Sequence, residues 1–191
     1  MNGDPIWKLT IDRVGGLAFF AVALVPMIAI GTALLVDSGW PVLMRQRRIG
    51  RHGLDYRMWK FRTLPKDTPQ MAKSELGVQG LRVTPLGHFL RRHSLDELPQ
   101  LVNVLTGEMS LIGPRPALYT QDDLTAMRAA AGVLGAKPGL TGLAQVSGRE
   151  GLTLSDKVAL DASYVRSMSL RNDLRIALRT VRAVLRPRGS F

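Results

Sequence analysis

Asp96 and Glu97 stand side by side in SLDELPQ, residues 94–100 of a chain with formal net charge +11. Adjacent carboxylates can act as nucleophile, general base or metal ligand, and their surroundings decide which. Arg91 and Arg92 come just before the pair, Lys60 and Arg62 lie in WKFRT, and Arg115 sits between Pro114 and Pro116 in GPRP. The two prolines limit backbone freedom and so aim the guanidinium, whose fork matches phosphate oxygens. Carboxylates among arginines and phosphates commonly meet through a divalent cation, usually Mg²⁺. These residue types describe a candidate phosphate site.

The same stretch has a structural reading. Ser94-x-x-Glu97 matches a helix capping box, with Asp96 near the positive end of the helix dipole. In a second register Asp96 is itself the cap and Pro99 takes the third helical position. Both place Asp96 where amide hydrogens point, so an ionised carboxylate is expected. Helical neighbours diverge by about 100°, so the two acids are expected to have separate tasks.

Other chemistry is missing from the sequence. It has no GxxxxGK[ST] loop, no GxGxxG after a strand and no GxSxG, and His52, His88 and His93 lack metal-ligand spacing. With no cysteine, disulfides, thiolate metal sites and cysteine nucleophiles are excluded, and a cytosol-facing location fits. The strong positive charge calls for an anionic partner: nucleic acid, an anionic lipid surface or a phosphorylated substrate.

Several short elements must position these groups. PVLMRQRRIGRHGLDYRMWKFRTL reads as two strands around a turn between Gly50 and Gly53. A loop marked by Pro65, Pro69, Gly77 and Gly80 follows. TPLGHFLRRHS puts Leu86, Phe89 and Leu90 on one helical stripe, and LPQLVNVL reads as a short buried helix before the GPRP loop. QDDLTAMRAAAG is helical, KPGLTGLAQVSGR is extended and turn-rich, and a helix is expected from Ser155 towards Ser169.

Two segments point to a membrane. Residues 14–36 carry no charge, fit a signal peptide poorly and would span about 35 Å as a straight helix, enough for a bilayer core. Pro26 stands at the midpoint, which leaves two geometries: a kinked span, or a hairpin-like helix that enters and leaves through one leaflet. Arg45, Arg47, Arg48 and Arg51 mark the C-terminal side as cytoplasmic. In LRNDLRIALRTVRAVLRP, Leu170, Leu174, Ala177, Leu178, Val181, Val184 and Leu185 share a helical period, with arginines along another face. Such a helix suits an anionic interface, or packs on the core with a solvated basic face.

RVTPLGHFLRRHSLDELPQLVNVLTGEMSLIGPRP resembles the signature of the bacterial sugar transferase family, the monotopic phosphoglycosyl transferases. PVLMRQRRIG…YRMWKFRT, KPGLTGLAQVSGR and LDASYVRSMSLRNDLRIALRTV resemble its other blocks, so the likeness covers nearly the whole chain. It implies transfer of a sugar phosphate from a UDP-sugar to a polyprenyl phosphate such as undecaprenyl phosphate at the cytoplasmic face of the bacterial inner membrane, with release of UMP. It implies Asp96 as nucleophile and metal-associated residue, Glu97 as its partner, Mg²⁺ as cofactor and Arg115 as a phosphate contact. It also implies a re-entrant helix–break–helix with Pro26 at the break, although Val25 stands where the family often has serine. Pro85 and Leu143 likewise replace residues that are commonly basic and tryptophan.

The resulting expectation is an α+β, mostly helical protein. Residues 1–40 form a re-entrant membrane element, 41–169 a cytosolic catalytic domain with a short hairpin, and 170–191 an amphipathic interfacial helix and tail. The partners are UDP-sugar, polyprenyl phosphate and membrane lipids, without nucleic acid; a homodimer stays open. Lys60, Arg62, Arg91, Arg92, Arg115 and Arg149 are candidate phosphate ligands. Asp161 has either a substrate role or an i,i+4 pair with Lys157, and Gln145 a structural hydrogen bond. The rival function is a membrane-tethered basic module that binds nucleic acid or anionic lipid without chemistry.

Overall fold

The computed structural model describes residues 4–66, 83–148 and 151–185. Arg149 and most of the expected loop at Pro69, Gly77 and Gly80 lie outside the described residues.

The chain opens with α1, Ile6–Ser38, one helix of 33 residues and so about 50 Å long. Pro26 lies inside it and does not end it, so the expected helix–break–helix is a single helical element here. The helix is long and apolar enough to cross a membrane by length and composition. Its burial is inverted: Lys8, Asp12, Ala23 and Leu34 are buried, while Val14, Leu17, Val22, Val25, Ile28 and Val36 are exposed. Both ends are fastened to the rest of the protein. Lys8 donates to Asp173, Tyr164 and the Ile112 carbonyl, and Leu34 packs with Phe61 and Leu90.

The hairpin expected from the sequence is present. β1, Leu43–Ile49, pairs antiparallel with β2, Asp55–Phe61, and a 3-10 turn at Arg51–Gly53 connects them. Tyr56 and Met58 face inward, as a period of two requires, and Phe61 at the strand's end is buried out of that alternation against Leu34 and Leu90. Next comes α2, Pro85–Arg92, with Thr84 capping the Gly87 amide. A 3-10 segment, Leu95–Gln100, then leads into α3, Leu101–Thr106. Asn103 joins α3 to the hairpin, because its side chain accepts from the Trp59 amide and donates to the Arg57 carbonyl. That bridge replaces a missing strand along β2 and presses the 3-10 segment against Lys60's strand.

The remainder forms a helical layer around a small parallel pair. β3, Ser110–Ile112, pairs with β4, Gly139–Thr141, which the sequence had suggested only as extended chain. Between them lies α4, Asp122–Ala130; after them come α5, Leu143–Ser147, α6, Leu154–Arg166, and α7, Leu170–Leu185. The short α5 falls in a stretch read as extended and turn-rich. Thr153 and Asp156 form a capping box that starts α6 one residue before Ser155. On α7, Asp173 and Ile176 turn inward, whereas Leu170, Leu174, Leu178 and Val181 stay exposed beside the arginines. Its leucine stripe therefore does not pack on the core.

Candidate active site

Ser94 adopts a left-handed conformation, φ 57°, and its side chain makes no capping hydrogen bond. The capping box expected at Ser94 and Glu97 is absent, because a residue turned this way closes α2 instead of opening a new α-helix. The chain continues as a tighter helix in which neighbours diverge by about 120°. Asp96 and Glu97 consequently meet different surroundings.

Glu97 is saturated with cations. Its Oε1 accepts from Lys60 Nζ at 2.8 Å and Arg115 Nη2 at 2.6 Å, and its Oε2 accepts from Arg115 Nη1 at 3.3 Å. Burial opposes the Glu97 charge, but Arg115 and Lys60 outweigh it and hold the carboxyl well below the usual range. Burial lowers Lys60 against the pull of Glu97, whereas Glu97 raises Arg115. The Arg115 side chain remains 43% exposed, so this cation is accessible from solvent.

Asp96 is buried, yet among the described residues nothing hydrogen-bonds to its carboxylate. Burial pushes its carboxyl up to about 6 against the attraction of Lys60; Glu97 adds to the rise, while Arg91 and Arg115 oppose it. The direction corrects the expectation drawn from helix amides, since among the described residues no amide donates to this side chain. At neutral pH the group is still mainly ionised. Its oxygens therefore keep unused acceptor capacity.

Arg48 belongs to the same neighbourhood and was missed in the sequence. Burial and the nearby Arg115 lower it to about 10, against Glu97 and Tyr56, and its Nη1 donates to the Pro116 carbonyl at 3.0 Å. The Tyr56 hydroxyl, buried close to these charges, has no hydrogen-bond partner among the described residues. A strand-alternation count would have put Arg48 and Tyr56 opposite one another, which is their register in the hairpin. Nothing local marked them as site residues.

The expected phosphate ligands separate into groups. Lys60 and Arg115 meet at Glu97, and Arg91, half-buried, acts on Asp96 through its charge. Arg92 is exposed at the end of α2. Arg62 is placed elsewhere: its guanidinium donates to the carbonyls of Ser38, Gly39 and Pro41 at 2.9, 2.8 and 2.6 Å, so it caps the end of α1. Asp161 pairs with Arg128 at 2.5 Å in place of the expected Lys157. Gln145 donates a long bond to the Leu140 carbonyl, 3.4 Å, and its Oε1 is buried without a partner among the described residues.

The GPRP loop is fixed by a glycine contact. A Cβ on Gly139 would come within 2.1 Å of the Gly113 nitrogen, and one on Gly142 within 2.0 Å of the Gly113 oxygen. Only backbone fits between the GPRP and KPGLTG segments, which explains how two distant motifs come to one place.

Among the described residues no group of three or more His, Asp or Glu side chains is assembled, so a metal cage made of protein alone is absent there. Mg²⁺ commonly binds through one or two carboxylates and completes its shell with water and substrate phosphates. A desolvated carboxylate without hydrogen-bond donors, as at Asp96, fits that requirement.

Residues 4–187 match the model of a family described as bacterial sugar transferase. A UDP-glucose:undecaprenyl-phosphate glucose-1-phosphate transferase of Caulobacter vibrioides is 38% identical, over 96% of this chain and 74% of its own length. An exopolysaccharide production protein of Sinorhizobium fredii is 38% identical, over 92% of this chain and 83% of its own length. An undecaprenyl-phosphate galactose phosphotransferase of Salmonella typhimurium is 35% identical over 96% of this chain, which spans 41% of that longer relative. With the match covering nearly every residue, the chain is a transferase that belongs to the bacterial sugar transferase family.

Proposed function

We propose that this protein transfers a sugar 1-phosphate from a UDP-sugar to undecaprenyl phosphate in two steps through Asp96. In the first step a carboxylate oxygen of Asp96 attacks the phosphorus bonded to the sugar. The bond to the bridging oxygen breaks, and UMP departs with that electron pair. In the second step a phosphate oxygen of the lipid attacks the same phosphorus and releases Asp96, leaving a sugar diphospholipid. A carboxylate needs no base to become nucleophilic, and splitting the reaction lets a soluble donor and a lipid acceptor visit one site in turn.

The observation that carries this reading is the asymmetry of the acid pair: Glu97 is fully engaged by Lys60 and Arg115, and Asp96 is open. Arg115, exposed on one side, and Lys60 are the groups that would exchange part of their bonding with Glu97 for donor phosphate oxygens. Mg²⁺ held by Asp96 and the diphosphate would screen the repulsion between nucleophile and donor and stabilise the departing phosphate. Arg149 remains a candidate donor contact.

The membrane reading is that α1 lies in the cytoplasmic leaflet of the inner membrane and returns to the side it entered, with α7 at the interface. It is supported by the fastening of both Lys8 and Ser38 to one domain, since a helix crossing the bilayer would carry one end away. The exposed leucines of α7 supply a second apolar surface. Single cysteines introduced at Asn2 and Arg51, in a chain with none of its own, are expected to label from the same side. Labelling from opposite sides would mean a true span.

The chemistry is tested by UMP release from a panel of UDP-sugars, using detergent-solubilised protein with Mg²⁺ and undecaprenyl phosphate. Turnover is expected with the native chain and lost in Asp96→Asn, and donor alone should leave a sugar-phosphate adduct on Asp96. Equal turnover in both proteins would remove the nucleophile. Binding of anionic lipid or nucleic acid without any UMP release would favour the non-catalytic module.

A further inference from the structure

Asp161 and Arg128 form a buried ion pair that the proposed chemistry does not use; they are 1% and 5% exposed. Arg128 lies on α4 and Asp161 on α6. Besides meeting Asp161 Oδ2 through Nη2 at 2.5 Å, Arg128 donates Nη1 to the backbone carbonyl of Arg115 at 2.6 Å.

That carbonyl is where control of Arg115 is most needed. Pro114 and Pro116 each have a fixed φ, and a residue before proline is confined to extended conformations. The prolines leave this peptide only a narrow range, and the hydrogen bond from Arg128 to the Arg115 carbonyl selects within it the orientation from which the side chain sets out. Neighbouring carbonyls are already satisfied: Pro114 by the Gly139 amide at 2.9 Å, Pro116 by Arg48 and Ala117 by the Ile49 amide at 3.0 Å each. The Arg115 carbonyl alone in this run depends on a buried cation that another buried charge must orient. For stability alone, a buried pair offers little over well-packed apolar side chains.

We infer that the Asp161–Arg128 pair is a positioning device for Arg115, fixing its peptide so that its guanidinium reaches the donor phosphates. Neither partner touches substrate. The inference rests on the proposed role of Arg115 as a donor phosphate contact. It also explains why Asp161 looks like a site residue in the sequence while sitting behind the site.

The test is a double-mutant cycle on the full chain in detergent, read as kcat/KM for the UDP-sugar together with the melting temperature. The first variant combines Arg128→Met with Asp161→Leu, which removes the pair without leaving a buried charge unpaired. Its melting temperature should stay near that of the parent, and kcat/KM should fall about 30-fold, as expected for a reacting group misplaced by a fraction of an ångström. Arg115→Ala alone should fall about a hundredfold. Adding the pair replacement to Arg115→Ala should then cost less than about threefold, because coupled residues are non-additive. Arg128→Lys, which keeps a charge opposite Asp161 with a shorter reach, reads the same cycle if the apolar pair does not accumulate. An equal loss with and without Arg115, or no loss at all, would overturn the positioning role and leave the proposed reaction standing. Full activity in Arg115→Ala would instead remove the phosphate role of Arg115 itself.

Discussion

Two clusters of buried charge in this protein end differently. Around Lys8, the ammonium meets Asp173 at 2.5 Å, the Ile112 carbonyl at 2.8 Å and the Tyr164 hydroxyl at 3.2 Å. Tyr164 in turn donates to Asp173 Oδ1 or the Ile112 carbonyl, and nearby Asp12 Oδ1 accepts from Ser110 and from the Leu111 amide. Around Asp96, Lys60, Arg91 and Arg115 act on two carboxylates, and only Glu97 is hydrogen-bonded by them. The first cluster ties α1, β3, α6 and α7 together and closes on itself around Lys8 and Asp173, with Asp12 Oδ2 the one acceptor there that has no partner among the described residues. The second leaves one carboxylate without a hydrogen-bond donor among the described residues and one guanidinium exposed. A buried ion pair joined by hydrogen bonds on both sides builds structure, whereas a buried carboxylate without donors is costly to keep and marks the candidate site.

The strongest way to sharpen this contrast is Asp96→Asn. Turnover measured by UMP release should drop by a factor on the order of 10⁴, while the melting temperature holds or rises because burial already disfavours the Asp96 charge. Lys8→Met attacks the closed cluster instead, leaving Asp173 buried and unpaired. Denaturant unfolding in detergent should show a loss of about 3–5 kcal/mol, with normal specific activity in whatever remains folded. Glu97→Gln comes next: Lys60 and Arg115 lose their shared anion, and kcat/KM should decline about a hundredfold. Val22→Ala, on the exposed face of α1, should change stability in detergent by no more than about 0.5 kcal/mol. A large effect there would mean that this face packs against protein.

Local pattern made much of the fold legible. Alternation around Gly50 and Gly53 specified the hairpin, and helical periodicity found α2, α4, α6 and α7, because each signal lies within one element. Asp96, Glu97, Lys60 and Arg115 stood out as charged groups framed by turns and prolines. What escaped were the tertiary pairings. Lys8 and Asp173 are 165 residues apart, and Arg128 and Asp161 are 33 apart, with no periodicity to link either pair. Arg62 looked like a phosphate ligand because composition cannot distinguish a guanidinium aimed at substrate from one aimed at carbonyls. The parallel β3–β4 pair was hidden for a similar reason: three-residue strands are too short for alternation to register.

Arg62 has a wider consequence. It grips the last carbonyls of the apolar helix from a position two residues beyond Lys60, so helix and reactive centre share one mechanical frame. If α1 rests among acyl chains, the depth at which it floats sets the height of Asp96 relative to the plane of lipid phosphates. Bilayer thickness would then act as a ruler for this enzyme, with Arg62 as the mark from which the distance is counted.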